Sequence, residues 1–368
     1  MRLPLTLSLY IARHFLQTIM IAFGGLMMVI ILLDVVELIR RTAGRSGTNF
    51  SMVLEMAFLK APEMGARILP FAVLIGAMMA LSRLNRTSEL VAARAAGMSV
   101  WQVLRPAWLL ALLMGVFFVS VLNPISAAML ERFEQLEAKY ISGRPSMLAI
   151  SSSGLWLRDF NEHQTPRQER IFHALRLSQQ DMKLYQVIVF HFDEDSSFLG
   201  RIDAKSAQLN EGFWLLEDVI LSRPGKPPEP RDSYKITTQL TLAQIQDSFA
   251  SPETLSFWEL PEFINILEEA GFSAVRHRLY FQVTLASPLL LVGMIFVAAA
   301  FSLRLPRRGG VTPLVVSGII SGFMIYFLTD LIQALGLSGS LPLGIAAWIP
   351  AAVTLLAGIW LMLHLEHG

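Results

Sequence analysis

The sequence predicts a polytopic α-helical membrane protein of six spans with a jellyroll-like, all-β domain inserted between spans three and four. Three observations carry this. Of the 368 residues, 54% are hydrophobic and 16% charged, against about 25% charged in a soluble domain. Most of the charges fall between Glu131 and Arg278, so both flanks are nearly bare. Within that charged middle, long apolar runs give way to short alternating ones. The expected division is 1–130 for the first three spans, 131–255 for the β-domain and 256–368 for the last three.

Met1–His14 reads as a short amphipathic lead whose Leu5, Leu7, Leu9 and Ile11 lie in the membrane interface. A cleavable signal peptide is not expected, because the following run is long enough to span. Phe15–Leu33 is uncharged and gives span one. Its helical pattern continues through Asp34, Glu37, Arg40 and Arg41 to a stop at Thr42–Gly47. Ser51–Leu81 is the second span, with Pro62 and Pro70 expected to kink it. The third runs from about Pro106 through Ala128.

Between spans two and three lies Arg83–Ser99, a polar-edged stretch that predicts a short helix over 86–97. Thr87 or Ser88 supplies the N-cap, Glu89 sits in the first turn where the helix dipole favours an anion, and Gly97 ends it. Leu90, Ala93 and Arg94 follow at helical spacing. So many alanines suit a helix that docks on something, although a plain connector fits the same residues.

Short β-type runs occupy 154–158, 170–177, 184–192, 201–209, 213–221 and 234–242, separated by turn sequences such as Pro224-Gly-Lys-Pro-Pro228. Tyr185, Val187 and Val189 alternate with Gln186 and Ile188. Even spacing of short strands implies a sandwich or half-open jelly roll. A short helix, Leu260–Ala270, leads to spans four (Leu279–Leu303), five (Gly309–Thr329) and six (Pro342–Leu363).

Basic residues in short loops set the orientation. Arg2, Arg13, Arg83, Arg86, Arg94, Arg105, Arg304, Arg307 and Arg308 share one side, which is then cytoplasmic. Both termini follow to that side, and the β-domain lies opposite. The first outer loop breaks the rule with Arg40, Arg41, Arg45, Lys60 and Arg67, which suggests an anion bound there. Guanidinium forks suit phosphate, while pairing with Asp34 and Glu37 is the structural alternative.

No catalytic machinery is legible. Walker A, H-E-x-x-H and G-x-S-x-G sequences are absent, and the seven histidines fall at no ligand spacing. Without cysteine there is neither a disulfide nor a thiolate metal site. A net charge of +1 implies no nucleic-acid partner. Two further features are Asp330, an acid near the outer end of span five, and Gly318-Ile-Ile-Ser-Gly322, a GxxxG pattern compatible with packing inside the chain or between subunits.

The topology, Ser88-Glu-Leu90 through Ala95-Ala-Gly97 after span two, Gly154-Leu-Trp156, and Pro288 with Phe301 in span four together resemble the membrane permeases of lipopolysaccharide transport, the LptF/LptG family. The run Val36–Arg41, Gly322-Phe323, Tyr326, Pro342 and Pro350 are closer to its G branch than to its F branch. The resemblance implies a heterodimer of the two paralogues above a dimer of the ATPase LptB, which alone hydrolyses ATP. It implies lipopolysaccharide drawn sideways from the inner membrane and passed through the β-domain to LptC and then LptA. No cofactor is implied. Carried onto this chain, Glu89, Arg94 and Gly97 fall in the ATPase-coupling helix. Arg40 and Arg41, with Arg132 nearby, fall at the lipid A phosphates. Gly318, Gly322 and Asp330 fall in a lateral gate formed by spans one and five. Asp34 stands where relatives place a lysine, and Glu63, Glu131 and Glu134 stand near positions that are basic in others. A non-transporting receptor with a β sensor domain is the competing reading. A secondary transporter would need charges near mid-membrane, which these spans lack.

Overall fold

The computed structural model describes residues 5–43, 49–142, 148–151, 154–161, 168–178, 183–192, 197–210, 212–238, 251–269, 273–304 and 311–367. Arg2, Arg45, Arg307, Arg308, Gly309 and residues 239–242 of the last expected strand lie outside them. The chain divides into two compact units: Met1–Leu136 with Glu253–Trp258 and Val275–Gly368, and Glu137–Pro252 with Glu259–Ala274.

In hydrocarbon a backbone must satisfy its own polar groups, so long apolar runs become helices. In chain order these are α1 (Leu5–Thr42), α2 (Phe50–Arg86), α3 (Glu89–Ala95), α4 (Val100–Phe117) and α5 (Asn123–Glu137), then α6 (Leu260–Glu269), α7 (Val275–Arg304), α8 (Val311–Leu337) and α9 (Leu343–His367). Among the described residues six helical stretches are long and apolar enough to cross a membrane. A π-helical turn, Phe118–Leu122, joins α4 to α5, so the third crossing continues well past Ala128. Pro62 and Pro70 lie within α2 without ending it.

The amphipathic lead proves to be the first turns of α1. Ile11, Phe15 and Ile19 are buried there and join the main helical core with α2, α4 and α7. Small residues set the helix spacing. A Cβ at Gly76 of α2 would stand 2.5 Å from the Ile19 Cα of α1, and one at Gly115 of α4 2.5 Å from the Pro288 Cα of α7. Lipid tails compete with any apolar side chain, so such close backbone approach is what holds spans together. Where the third crossing widens at its π turn, the Trp258 indole N–H donates to the Ser120 carbonyl at 3.2 Å. Asn123 accepts from the Phe257 backbone N–H at 2.7 Å and donates to the Tyr280 hydroxyl at 3.3 Å.

The second unit is built on one antiparallel sheet whose seven strands run in sequence order: β1 (Leu148–Ser151), β2 (Gly154–Asn161), β3 (Gln168–Ser178), β4 (Lys183–Phe192), β5 (Phe198–Asn210), β6 (Phe213–Ser222) and β7 (Glu229–Thr237). β1 lies in the serine-rich stretch whose composition hid it. The sheet curls. Strands four apart in a flat sheet are about 19 Å apart, yet Arg170 on β3 donates through Nη1 to the Thr237 carbonyl on β7 at 2.7 Å. Phe172 on β3 also meets Trp214 on β6 in a tilted pair, with 5.2 Å between ring centroids. The enclosed face is ordered in rungs across neighbouring strands: Leu155–Ala174–Val187–Ala204–Val219, then Leu157–Phe172–Val189–Ile202–Leu221, all buried.

The alternation breaks along one line. Gln186 on β4 and Asp218 on β6 have positive φ (53° and 50°), and both lie level with Lys205 of β5. On β4 the buried residues are Leu184, then Val187 and Val189, with Tyr185 39% exposed. Tyr185 therefore does not share a face with Val187, as strict alternation had it. On β6 the buried set shifts likewise from Trp214 and Leu216 to Val219 and Leu221. A left-handed residue turns the strand by one side-chain position, as in a bulge. Two side by side bend the sheet there.

Candidate functional site

Polar residues of the helical unit gather at its two ends. At the first, Glu37, Arg40 and Arg41 lie one turn apart on α1, so the guanidinium groups reach the same carboxylate. Arg40 donates to Glu37 at 2.9 and 2.8 Å, and Arg41 at 2.9 Å. One anion set against two cations leaves this exposed cluster with net positive charge. Beneath it, Asp34 is 8% exposed and accepts from Lys60 of α2 at 2.8 Å. The same ammonium lies 5.5 Å from the centroid of the Phe133 ring on α5, a favourable cation–π distance. Lys60 thus ties three helices together. Arg132, next to Phe133, is exposed and donates to Gln135 at 3.1 Å, and Arg67 is bonded to Glu63 one turn away.

The expected phosphate residues Arg40, Arg41 and Arg132 are therefore at one end of the unit. Lys60 is the residue the sequence reading counted but did not single out. Its signal was an aspartate inside an apolar run facing a lysine in the next helix. The Asp34 departure is compensated by Lys60, which fills the aspartate's charge requirement from α2.

At the other end stands α3. Ser88 occupies its N-cap position at φ 62°, with no capping hydrogen bond, and Thr87 turns its hydroxyl back to the Arg83 carbonyl at 3.0 Å. Neither residue caps α3, a correction to the sequence reading. With Ser88 left-handed, the chain reverses too sharply for its hydroxyl to reach the first-turn N–H groups. The other terminus is as expected. Gly97 has φ 84°, and the pair Gly97 N–H to Arg94 C=O (3.0 Å) and Met98 N–H to Ala93 C=O (3.2 Å) closes the helix as a Schellman motif. Leu90 is buried and anchors α3 to the main core. Glu89 is half-buried and hydrogen-bonded by the Tyr10 hydroxyl of α1. The outward surface is Val91, Ala92, Arg94, Ala95, Ala96 and Gly97, a nearly flat patch with one cation.

The glycines of the fifth span pack inside the chain. A Cβ at Gly318 would stand 2.7 Å from the Met78 sulfur, and one at Gly322 2.8 Å from the Phe71 ring. α8 thus runs antiparallel along α2, and Phe71 meets Tyr326 at 6.0 Å between centroids. One turn further, Asp330 is exposed and level with the Glu63–Arg67 turn of α2, at the Arg40 end. The helices that flank α2, namely α1 and α8, expose most of their apolar length. Ile21, Met28, Leu33 and Val36 of α1 and Ile320 and Phe323 of α8 are all 60% exposed or more. Water does not tolerate surfaces of that extent; lipid or another apolar helix does.

Comparison with known proteins gives this arrangement a family. The family model described as lipopolysaccharide export system permease LptF/LptG matches residues 9–364. The chain is similar to the lipopolysaccharide export system permease protein LptG of Haemophilus influenzae, 25% identical over 97% of this chain and 98% of the relative. It is similar to the protein of that name from Escherichia coli K12, 24% identical over 97% and 98%. The chain belongs to the LptF/LptG permease family and is an inner-membrane permease of the lipopolysaccharide export system.

Proposed function

We propose that this chain is the LptG-type permease, one of two paralogous subunits that extract lipopolysaccharide from the inner membrane using ATP hydrolysed by a separate subunit. One observation supports the reading: the closely packed pair α1–α2 carries a small-residue surface at one end, on α3, and a cationic cluster at the other. Force applied at α3 reaches the cluster along helices locked together at Gly76 and Asp34–Lys60.

In this reading both termini are cytoplasmic, and α3 docks on LptB. Arg94 and the exposed alanines make the contact, while Glu89 holds α3 to α1 through Tyr10. The exposed faces of α1 and α8 meet the partner permease LptF and open laterally to lipid. Gly318 and Gly322 let α8 slide on α2, and Asp330 stands at the outer mouth of that gate. Arg40, Arg41 and Arg132 face the phosphates of lipid A from the periplasmic side, and the β-domain passes cargo to LptC and then LptA. The G rather than F assignment rests on the Val36–Arg41 run, whose geometry makes a compact two-guanidinium face.

The test is purification of the exporter with Arg94→Glu or with Arg40→Glu and Arg41→Glu. Arg94→Glu should reduce LptB recovery at least several-fold with the β-domain still folded. The Arg40/Arg41 variant should retain LptB yet lose most lipopolysaccharide crosslinking. LptB recovery unchanged by Arg94→Glu would remove the docking assignment, and unchanged crosslinking would remove the phosphate assignment.

A further inference from the structure

The enclosed face of the curled sheet ends in a rung unlike the two apolar rungs beside it. Asp159 of β2 pairs with Arg170 of β3, Arg170 with His191 of β4, and His191 with Gly200 of β5. A Cβ at Gly200 would lie 3.6 Å from the Cγ of Arg223, which follows β6 and extends the same rung. Charged side chains on the inside of a small curled sheet are costly to bury, and each wants its hydrogen bonds filled. Here they are only partly filled. Arg170 is 5% exposed and Asp159 2%. Arg170 spends Nη1 on the Thr237 carbonyl, but its Nε, the Asp159 Oδ2 and the His191 Nε2 have no hydrogen-bond partner.

Arg170 and His191 border a cavity of about 620 Å³ whose lining also includes Gly200, Arg223 and Tyr234, with Ile202 and Ile236 among its walls. Gly200 is the one rung position without a side chain, and a Cβ there would stand 3.0 Å from the Ser222 carbonyl oxygen. Asp159 offsets Arg170, and Asp203 is paired to Arg201 (2.9 Å), which lines the cavity with Lys235. Arg223 adds a second guanidinium that Asp159 does not balance.

We infer that this rung is an anion site, in which Arg170, His191 and Arg223 hold one phosphate or carboxylate group inside the β-domain. A guanidinium on each flank and an imidazole between them match the spread of oxygens on such a group. Burial at Arg170 gives the contact strength that an exposed arginine lacks. The site is separate from the Arg40–Arg41 cluster and goes beyond the permease reading. The group it takes has two sources, free phosphate or the anionic sugars and phosphates of the cargo.

The test uses the full chain in detergent, carrying Arg40→Gln and Arg41→Gln so that the helical cluster does not contribute. Titration calorimetry with inorganic phosphate should give saturable binding of one ion per chain. Arg223→Gln should weaken it about tenfold, the effect of one charge-assisted bond, and Arg223→Lys only a few-fold. Absence of saturable binding, or binding indifferent to Arg223→Gln in a variant that melts like the parent, overturns the inference. A second arm, the only one that rests on the export reading, places a photo-crosslinking residue at Leu199 in the assembled exporter. Lipopolysaccharide crosslinks that disappear with Arg223→Gln identify cargo as the source. Phosphate binding without such crosslinks identifies the free anion.

Discussion

Among the described residues two regions bury a carboxylate, and they do so differently. In the helical unit, Asp34 is taken out of water but meets Lys60 at 2.8 Å. In the β-domain, Asp159 and Arg170 are buried beside a half-buried His191, and each has a buried polar atom without a hydrogen bond. In the first, the buried carboxylate is matched by one ammonium of the same chain, although its Oδ2 makes no hydrogen bond, and the pair acts as a clamp between α1, α2 and α5. In the second, Arg170 and Arg223 stand against the single carboxylate of Asp159, and that excess of positive charge suits an anionic visitor. Burial alone does not separate structural charges from functional ones; what separates them is whether the protein supplies the partner.

The clamp is the place where the largest effect is expected. Lys60→Met leaves Asp34 buried and uncompensated, which costs on the order of 3 kcal/mol. Asp34→Asn combined with Lys60→Met should recover most of that loss. Thermal unfolding of the single and double variants in detergent measures both. Equal losses would mean that the pair does not clamp α1 to α2.

The rung should respond to acid rather than to truncation. Burial, with help from the Arg170 and Arg223 charges, holds the His191 pKa down at about 4, against about 6.5 in an unfolded chain. Below 6.5 the unfolded state takes up a proton that the folded state refuses, so stability falls as pH drops from about 6.5 to about 4 and is level above that window. His191→Gln should remove on the order of 2 kcal/mol of the loss between pH 7.5 and 4.5. Denaturant melts of the two proteins at both pH values test this, and parallel losses would place the acid sensitivity elsewhere. Asp159, whose pKa burial raises, works in the opposite direction and is unchanged in that comparison.

The smallest effect is expected at Arg223. It is exposed, so Arg223→Gln should shift stability by no more than about half a kcal/mol while phosphate binding falls. A large stability loss would move Arg223 from the visitor's side of the comparison to the clamp's.

Much of this was legible beforehand. Spans are readable because a crossing needs an unbroken apolar run, and the Arg40–Arg41 pair stands out because it follows directly on such a run. Gly97 could be assigned a left-handed conformation from its place after an alanine-rich helix. Three features were not legible. The alternation of Tyr185 with Val187 is misleading, because a positive φ at Gln186 has no residue signature of its own. Asp34 and Lys60 are 26 positions apart and meet only when α2 folds back on α1. Ser88 is a good cap by composition, yet the sharp entry to α3 takes its hydroxyl away.

By itself, then, the sequence determined the membrane class, the number of spans, the inserted β-domain and the placement of basic residues. All of these follow from local composition and the thickness of a bilayer. Tertiary structure decided which glycines face a neighbouring helix, that α8 packs on α2 through Gly318 and Gly322, and that residues from four strands and the turn after β6 form one polar rung. Helices apolar on every side carry no periodic signal of their neighbours, and strand register depends on pairings between residues far apart in the chain.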